Sequence, residues 1–199
     1  MKFFIVGLHC SGKQEILDLL ENHGIKCGRQ FSNIDTPSPK VYNSYNYEKY
    51  DMSDINEVFE NNAYVFINEL DNASCVNSYK YFEGLSKYEF DNNDVFALSP
   101  DQLLHISKKN INDDICFVWV DNNKEDRLNR YRNEKREYGF SSREDIEKKD
   151  MNVFIKTIYS YGDSNLIYFV NEDPGRIAAV VYSLVKHPEL VDIYKEYYN

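Results

Sequence analysis

The chain is expected to fold as an α/β domain on a parallel sheet with helices on both faces. Two observations predict this. The apolar runs at residues 3–6, 94–98, 115–120 and 166–170 are continuous rather than alternating, as in strands buried on both faces. Helix-period segments separate them, and such alternation implies parallel strands joined by crossovers. The first run leads into Gly7-Leu8-His9-Cys10-Ser11-Gly12-Lys13-Gln14, and an amphipathic segment begins at Glu15-Ile16-Leu17.

Taken in order, residues 3–6 predict a strand and 13–23 a helix ended by Gly24. Residues 25–30 read as a strand, and Pro37 and Pro39 keep 32–46 irregular. Residues 42–50 alternate aromatic and polar positions like a small half-buried sheet, which Tyr42, Tyr45, Tyr47 and Tyr50 would pack. Ser53 is expected to cap a helix over 54–60, with strands at 63–67 and 77–82. Pro100 opens a helix to about residue 108. Charged helices are expected at 123–137 and 142–161, broken at Gly139. Pro174 starts a helix to 186, and Pro188 a final aromatic one. Residues 31–90, rich in Tyr and Asn, read as an insertion into a single domain whose core is 1–30 and 91–199.

The 199 residues carry 23 basic and 33 acidic side chains, a formal charge of −10. Such a surface repels nucleic-acid backbones, so no nucleic-acid partner is expected. Yet five of the seven arginines (Arg127, Arg130, Arg132, Arg136 and Arg143) fall within seventeen residues. The four cysteines are scattered, without metal spacing, so no metal-ligating set is expected. The apolar N-terminal stretch is shorter than a signal core, and no run reaches membrane length. The expectation is a cytoplasmic protein without a membrane partner.

Gly-x4-Gly-Lys between a strand and a helix is the setting of a P-loop. Its glycines let successive N–H groups turn inward, and the helix start offers unpaired donors and a positive dipole end. Gly7, Leu8, His9, Cys10, Ser11, Gly12, Lys13 and Gln14 are therefore the candidate phosphate cradle. Gln14 stands where a Ser or Thr would put a hydroxyl on Mg²⁺. The arginine-rich stretch interleaves with Lys124, Glu125, Asp126, Glu134, Lys135 and Glu137, so taken alone it also fits a solvated helix.

The P-loop, the aromatic insertion, the arginine-rich helices after a buried strand, and Asn171-Glu172-Asp173 after the last strand together resemble the guanylate kinases. More broadly they resemble the P-loop nucleoside monophosphate kinases. The resemblance implies a P-loop NTPase-type fold with an inserted small mixed-sheet acceptor region and a helical lid at about 123–150. It implies phosphoryl transfer from ATP, with Mg²⁺, to a nucleoside monophosphate, with GMP or dGMP favoured. Lys13, Arg127, Arg130 and Lys149 would act on the migrating phosphate, and Asn171 would lie by the adenine. Ser32, Lys40, Tyr47, Ser86, Ser99 and Asp101 would hold the acceptor. The chain departs from that pattern where the family grips the acceptor phosphate with two arginines, since only Lys40 is cationic there. Glu83 replaces the Tyr before Gly84, and Ser99 falls near a family Asp. These losses leave open a degenerate module that binds a nucleotide or a protein partner without transferring phosphate.

Overall fold

The computed structural model describes residues 1–8, 10–33, 47–70, 81–106, 114–133 and 165–198. They group into two compact units, one formed by 1–27, 94–104 and 113–199, the other by 28–93 and 105–112.

The first unit is built on four parallel strands: β1 (Lys2–Gly7), β6 (Val95–Leu98), β7 (Ile115–Asp121) and β8 (Asn165–Val170), in the order β6-β1-β7-β8. Phe4 lies level with Phe96 on one side and Phe117 on the other. The α/β class expected from the continuous apolar runs is what forms. Alternate residues face opposite sides, and both sides are dry, as the runs require. On one face Phe3, Ile5, Val95, Cys116, Val118, Ile167 and Phe169 meet Ile16, Leu17 and Leu20 of α1 (Lys13–Asn22). Ile177, Val181 and Leu184 of α6 (Pro174–Lys186) complete that core, together with Val191 of α7 (Val191–Tyr198). On the other face Phe4, Phe96, Phe117 and Trp119 are equally buried.

Local signals set these helix ends. Gly24, at φ 79°, closes α1 by donating its N–H to Glu21 O at 2.9 Å, while Ile25 N reaches Leu20 O at 3.0 Å. Asp173 caps α6 by accepting from Gly175 N at 2.9 Å and Arg176 N at 3.3 Å, ahead of Pro174 in the first turn. Burial pushes the Cys27 and Cys116 thiols up to about 12, so both stay protonated and behave as small hydrophobes.

The second unit carries a mixed sheet of β2 (Gln30–Ser32), β3 (Tyr47–Lys49), β4 (Tyr64–Leu70) and β5 (Tyr81–Ser86), in the order β3-β2-β5-β4. β2 runs parallel to β3 and antiparallel to β5, which pairs antiparallel with β4. Helix α2 (Met52–Glu60) contributes Ile55 to a core with Phe31 and Phe82, and Tyr50 stacks on Phe31 at 4.9 Å. Helix α3 (Lys87–Asn92) follows β5, and its cap is Ser86, which accepts from Glu89 N at 3.2 Å.

Several element boundaries differ from the sequence expectation. Residues 25–30 are not one strand: Cys27 makes an isolated parallel bridge to Val95, and pairing resumes at Gln30 in the other sheet. Helix α2 starts after Asp51 rather than Ser53, because the Asp51 N–H bonds the Asp54 carboxylate at 3.1 Å and fixes the first turn two residues earlier. The helix opened by Pro100 is α4 (Pro100–Leu104), and α5 (Lys124–Asn133) follows β7. Residues 42–46, 77–80 and the expected helix at 142–161 lie outside the described residues.

Strand β5 begins at 81 and continues through Gly84, past the end expected at 82. Gly84 belongs there because a Cβ would stand 2.5 Å from Phe66 O and 2.6 Å from Phe31 Cζ. Gly84→Ala is therefore expected to cost about 1–3 kcal/mol by overpacking. Urea unfolding, with an unchanged m value and a lower midpoint, checks it.

Candidate functional site

The 7–14 loop leaves β1 at the carboxyl edge of the parallel sheet, where neighbouring strands depart to opposite sides. In open parallel α/β sheets this switch point is where ligands bind. Gly7 ends the strand because nothing larger fits: a Cβ would lie 2.5 Å from Val120 O and 2.6 Å from Ser11 Oγ. Cys10 takes φ 60° and Gly12 φ 94°, both in the left-handed region, and Ser11 N bonds Leu8 O at 3.2 Å. Helix α1 then begins, with Ile16 N on Gly12 O at 3.1 Å.

Lys13 turns back over this loop. Its Nζ donates to Gly7 O at 2.7 Å and Leu8 O at 2.9 Å and reaches Ser11 Oγ at 3.5 Å. The ammonium thus sits over the loop backbone at the start of α1, where dipole and orphan N–H groups attract an anion. From the adjacent strand end, buried Asn122 donates its Nδ2 to Ser11 O at 2.7 Å and braces the loop. Asn122 was not singled out in the sequence, because its partner lies 111 residues away. The available signal was its place directly after the most apolar strand.

Arg127 and Arg130 separate. Arg127 is only 5% exposed, and its Nε donates to Asn122 O at 3.3 Å. Arg130 extends to the loop: a Cβ on Gly12 would lie 2.8 Å from its guanidinium nitrogen, which bonds Glu15 Oε2 at 2.8 Å. Asn171, at φ 51°, donates its N–H to Asp121 O at 2.7 Å and accepts from Asn123 N at 2.8 Å. Its carboxamide oxygen thereby ties the β8 end to the start of α5. Beside it, Tyr168 donates its hydroxyl to Asp121 at 3.0 Å, and burial together with that carboxylate pushes the phenol pKa up.

Gln14 points away from the loop, donating Nε2 to Asp18 one turn on at 2.8 Å. Gln14 thus brings no hydroxyl to the place where a Ser or Thr would ligate Mg²⁺. Among the described residues no group of three or more His, Cys, Asp or Glu gathers to hold a metal. Gln14→Thr is expected to keep nucleotide affinity within about threefold and make it more Mg²⁺-dependent. Calorimetry with Mg²⁺ and with a chelator reads this out; lower affinity in both would mean Gln14 has a positive role.

The acceptor candidates divide likewise. In the first unit, Ser99 follows β6 with its N–H on Gln102 Oε1 at 2.9 Å, and Asp101 lies in α4. In the second, Ser32 donates its hydroxyl to Phe82 O at 3.2 Å, and Ser86 is the α3 cap and also bonds the Tyr50 hydroxyl. Tyr47 begins β3, opposite Gln30. Ser32, Glu83 and Asn68 form one lateral row across β2, β5 and β4, all buried, with Asn68 Nδ2 on Glu83 Oε1 at 3.3 Å. His9, Lys40 and Lys149 lie outside the described residues.

No family model matches the chain, and no curated protein matches it. Among solved structures it is similar to the guanylate kinase of Anaplasma phagocytophilum. That match covers 96% of this chain and 86% of the other, with 12% identity and a TM-score of 0.48. Among the described residues no helix is long and apolar enough to cross a membrane.

Proposed function

We propose that the chain binds ATP on the 7–14 loop and transfers its terminal phosphoryl group to a nucleoside monophosphate, GMP or dGMP in the first instance. The observation that carries this reading is Lys13 Nζ held over the loop at the sheet switch point. The transferred phosphorus leaves ADP and bonds to an acceptor phosphate oxygen. Such a transfer asks the protein for positioning and for positive charge around the equatorial oxygens. Lys13 and Arg130 would supply that charge beside the loop, and Lys149 is proposed, from the sequence alone, to add to it. Arg127 and Asn122 support the loop from behind. Asn171 would border the adenine. Mg²⁺ would arrive with the triphosphate, and no step here depends on a protein ligand to it.

The acceptor would lie against the second unit, whose buried Ser32–Glu83–Asn68 row offers both donors and acceptors for a base edge. Lys40, Tyr47, Ser86, Ser99 and Asp101 complete the proposed acceptor set. The protein would work in the cytoplasm, on small-molecule substrates. One observation favours a second reading, a module that binds nucleotide or protein without transfer: a carboxylate, Glu83, is buried in the acceptor unit, where it would oppose a phosphate.

A coupled assay of ADP release across all ribo- and deoxyribonucleoside monophosphates, with Mg-ATP, separates the two. Release that depends on a guanine monophosphate is expected. ATP binding with no acceptor-dependent release would establish the second reading instead.

A further inference from the structure

We propose that Glu15 is the resting counter-ion of Arg130, and that an anionic ligand on the 7–14 loop displaces it. The inference rests on the phosphate-binding reading of that loop and adds a residue to it.

Glu15 stands in the first turn of α1, and Arg130 reaches it from α5, 115 residues along the chain. The two meet at 2.8 Å, with the guanidinium against the backbone of Gly12 at the loop mouth. A carboxylate here has two opposed effects. It complements the helix dipole and holds Arg130 in place, yet it occupies the guanidinium that a phosphate would use.

The exposures decide which partner prevails. Glu15 is 56% and Arg130 34% exposed, so water screens their pairing and its strength is small. A phosphate carries more charge and matches the guanidinium fork with two oxygens. It therefore takes Arg130 from Glu15, as it takes Lys13 from the Gly7 and Leu8 carbonyls. Binding is an exchange, and Glu15 sets the affinity by the contact that must be given up.

The test is calorimetric titration of ATP and inorganic triphosphate into the wild type, Glu15→Gln, Glu15→Asp, Arg130→Ala and the Glu15→Gln/Arg130→Ala double variant. Glu15→Gln is expected to bind both ligands about two- to fivefold tighter, the range a screened ion pair spans. Glu15→Asp keeps the charge but withdraws the carboxylate, and should also gain. In the Arg130→Ala background the Glu15→Gln gain should vanish.

An equal gain in both backgrounds, with none for Asp, would mean simple repulsion and overturn the displacement. Weaker binding by Glu15→Gln would make Glu15 a support that Arg130 needs, and would overturn it too. Failure of the wild type to bind either ligand would remove the phosphate-binding reading itself, and this inference with it.

Discussion

Lys13→Ala is expected to weaken ATP binding by about one to two orders of magnitude and to remove turnover with it. The side chain's partners include two backbone carbonyls and a serine hydroxyl, at 2.7, 2.9 and 3.5 Å. These are neutral acceptors, so a triphosphate offers the ammonium far more. A charge-assisted hydrogen bond is worth about 1.5–3 kcal/mol, which gives the stated loss. The loop itself should survive, because Asn122 still holds Ser11 O and Gly12 still starts the helix. Calorimetry on both proteins, with a thermal melt as the control on folding, measures it. Equal ATP affinity would dismiss the loop as a phosphate site.

Arg130→Ala should lower kcat by about two to four orders of magnitude while raising KM for ATP much less, as for a group that meets charge developing in transfer. Arg130→Lys should recover little, since an ammonium cannot bridge two phosphate oxygens. Arg127→Ala is expected to behave differently. Its guanidinium is buried on Asn122 O, the residue that braces the loop. Its loss should destabilise the fold by about 1–3 kcal/mol, a drop of several degrees in Tm, with kcat and KM following the damaged loop. Arg132, exposed on the same helix, should be nearly silent. Steady-state kinetics and melts of the three alanine variants discriminate the roles. Small, equal kinetic effects would make the cluster a solvated helix face and favour the non-transferring module.

The alternation of apolar runs with helix-period segments was enough to read the parallel sheet, because burial on both faces leaves no polar alternation in the strands. Gly24 and Pro174 marked helix ends through local hydrogen bonding and fixed φ, which need no distant partner. The loop was equally legible, since Gly7, Gly12 and Lys13 do their work within a few residues of one another. The start of α2, expected at Ser53, lies two residues earlier at Asp51, where the Asp54 carboxylate accepts the Asp51 N–H. The end of β5, expected at 82, lies at Ser86, because nothing local to Gly84 shows that Phe31 and Phe66 close over it.

Thus the chain by itself determined its fold class, the position of the glycine-bounded loop between β1 and α1, and the presence of a cationic helix after the strongest strand. Those properties follow from local periodicity and local backbone chemistry. Only the tertiary structure decided which arginine stands beside the loop. Arg127 and Arg130 are three residues apart and alike in sequence, yet one is buried behind Asn122 and the other lies on Gly12 beside Glu15. The pairing of β1 with β7 carries α5 to the loop, and the turn of that helix gives its two arginines different surroundings. Contacts made across more than a hundred residues leave no local pattern to read.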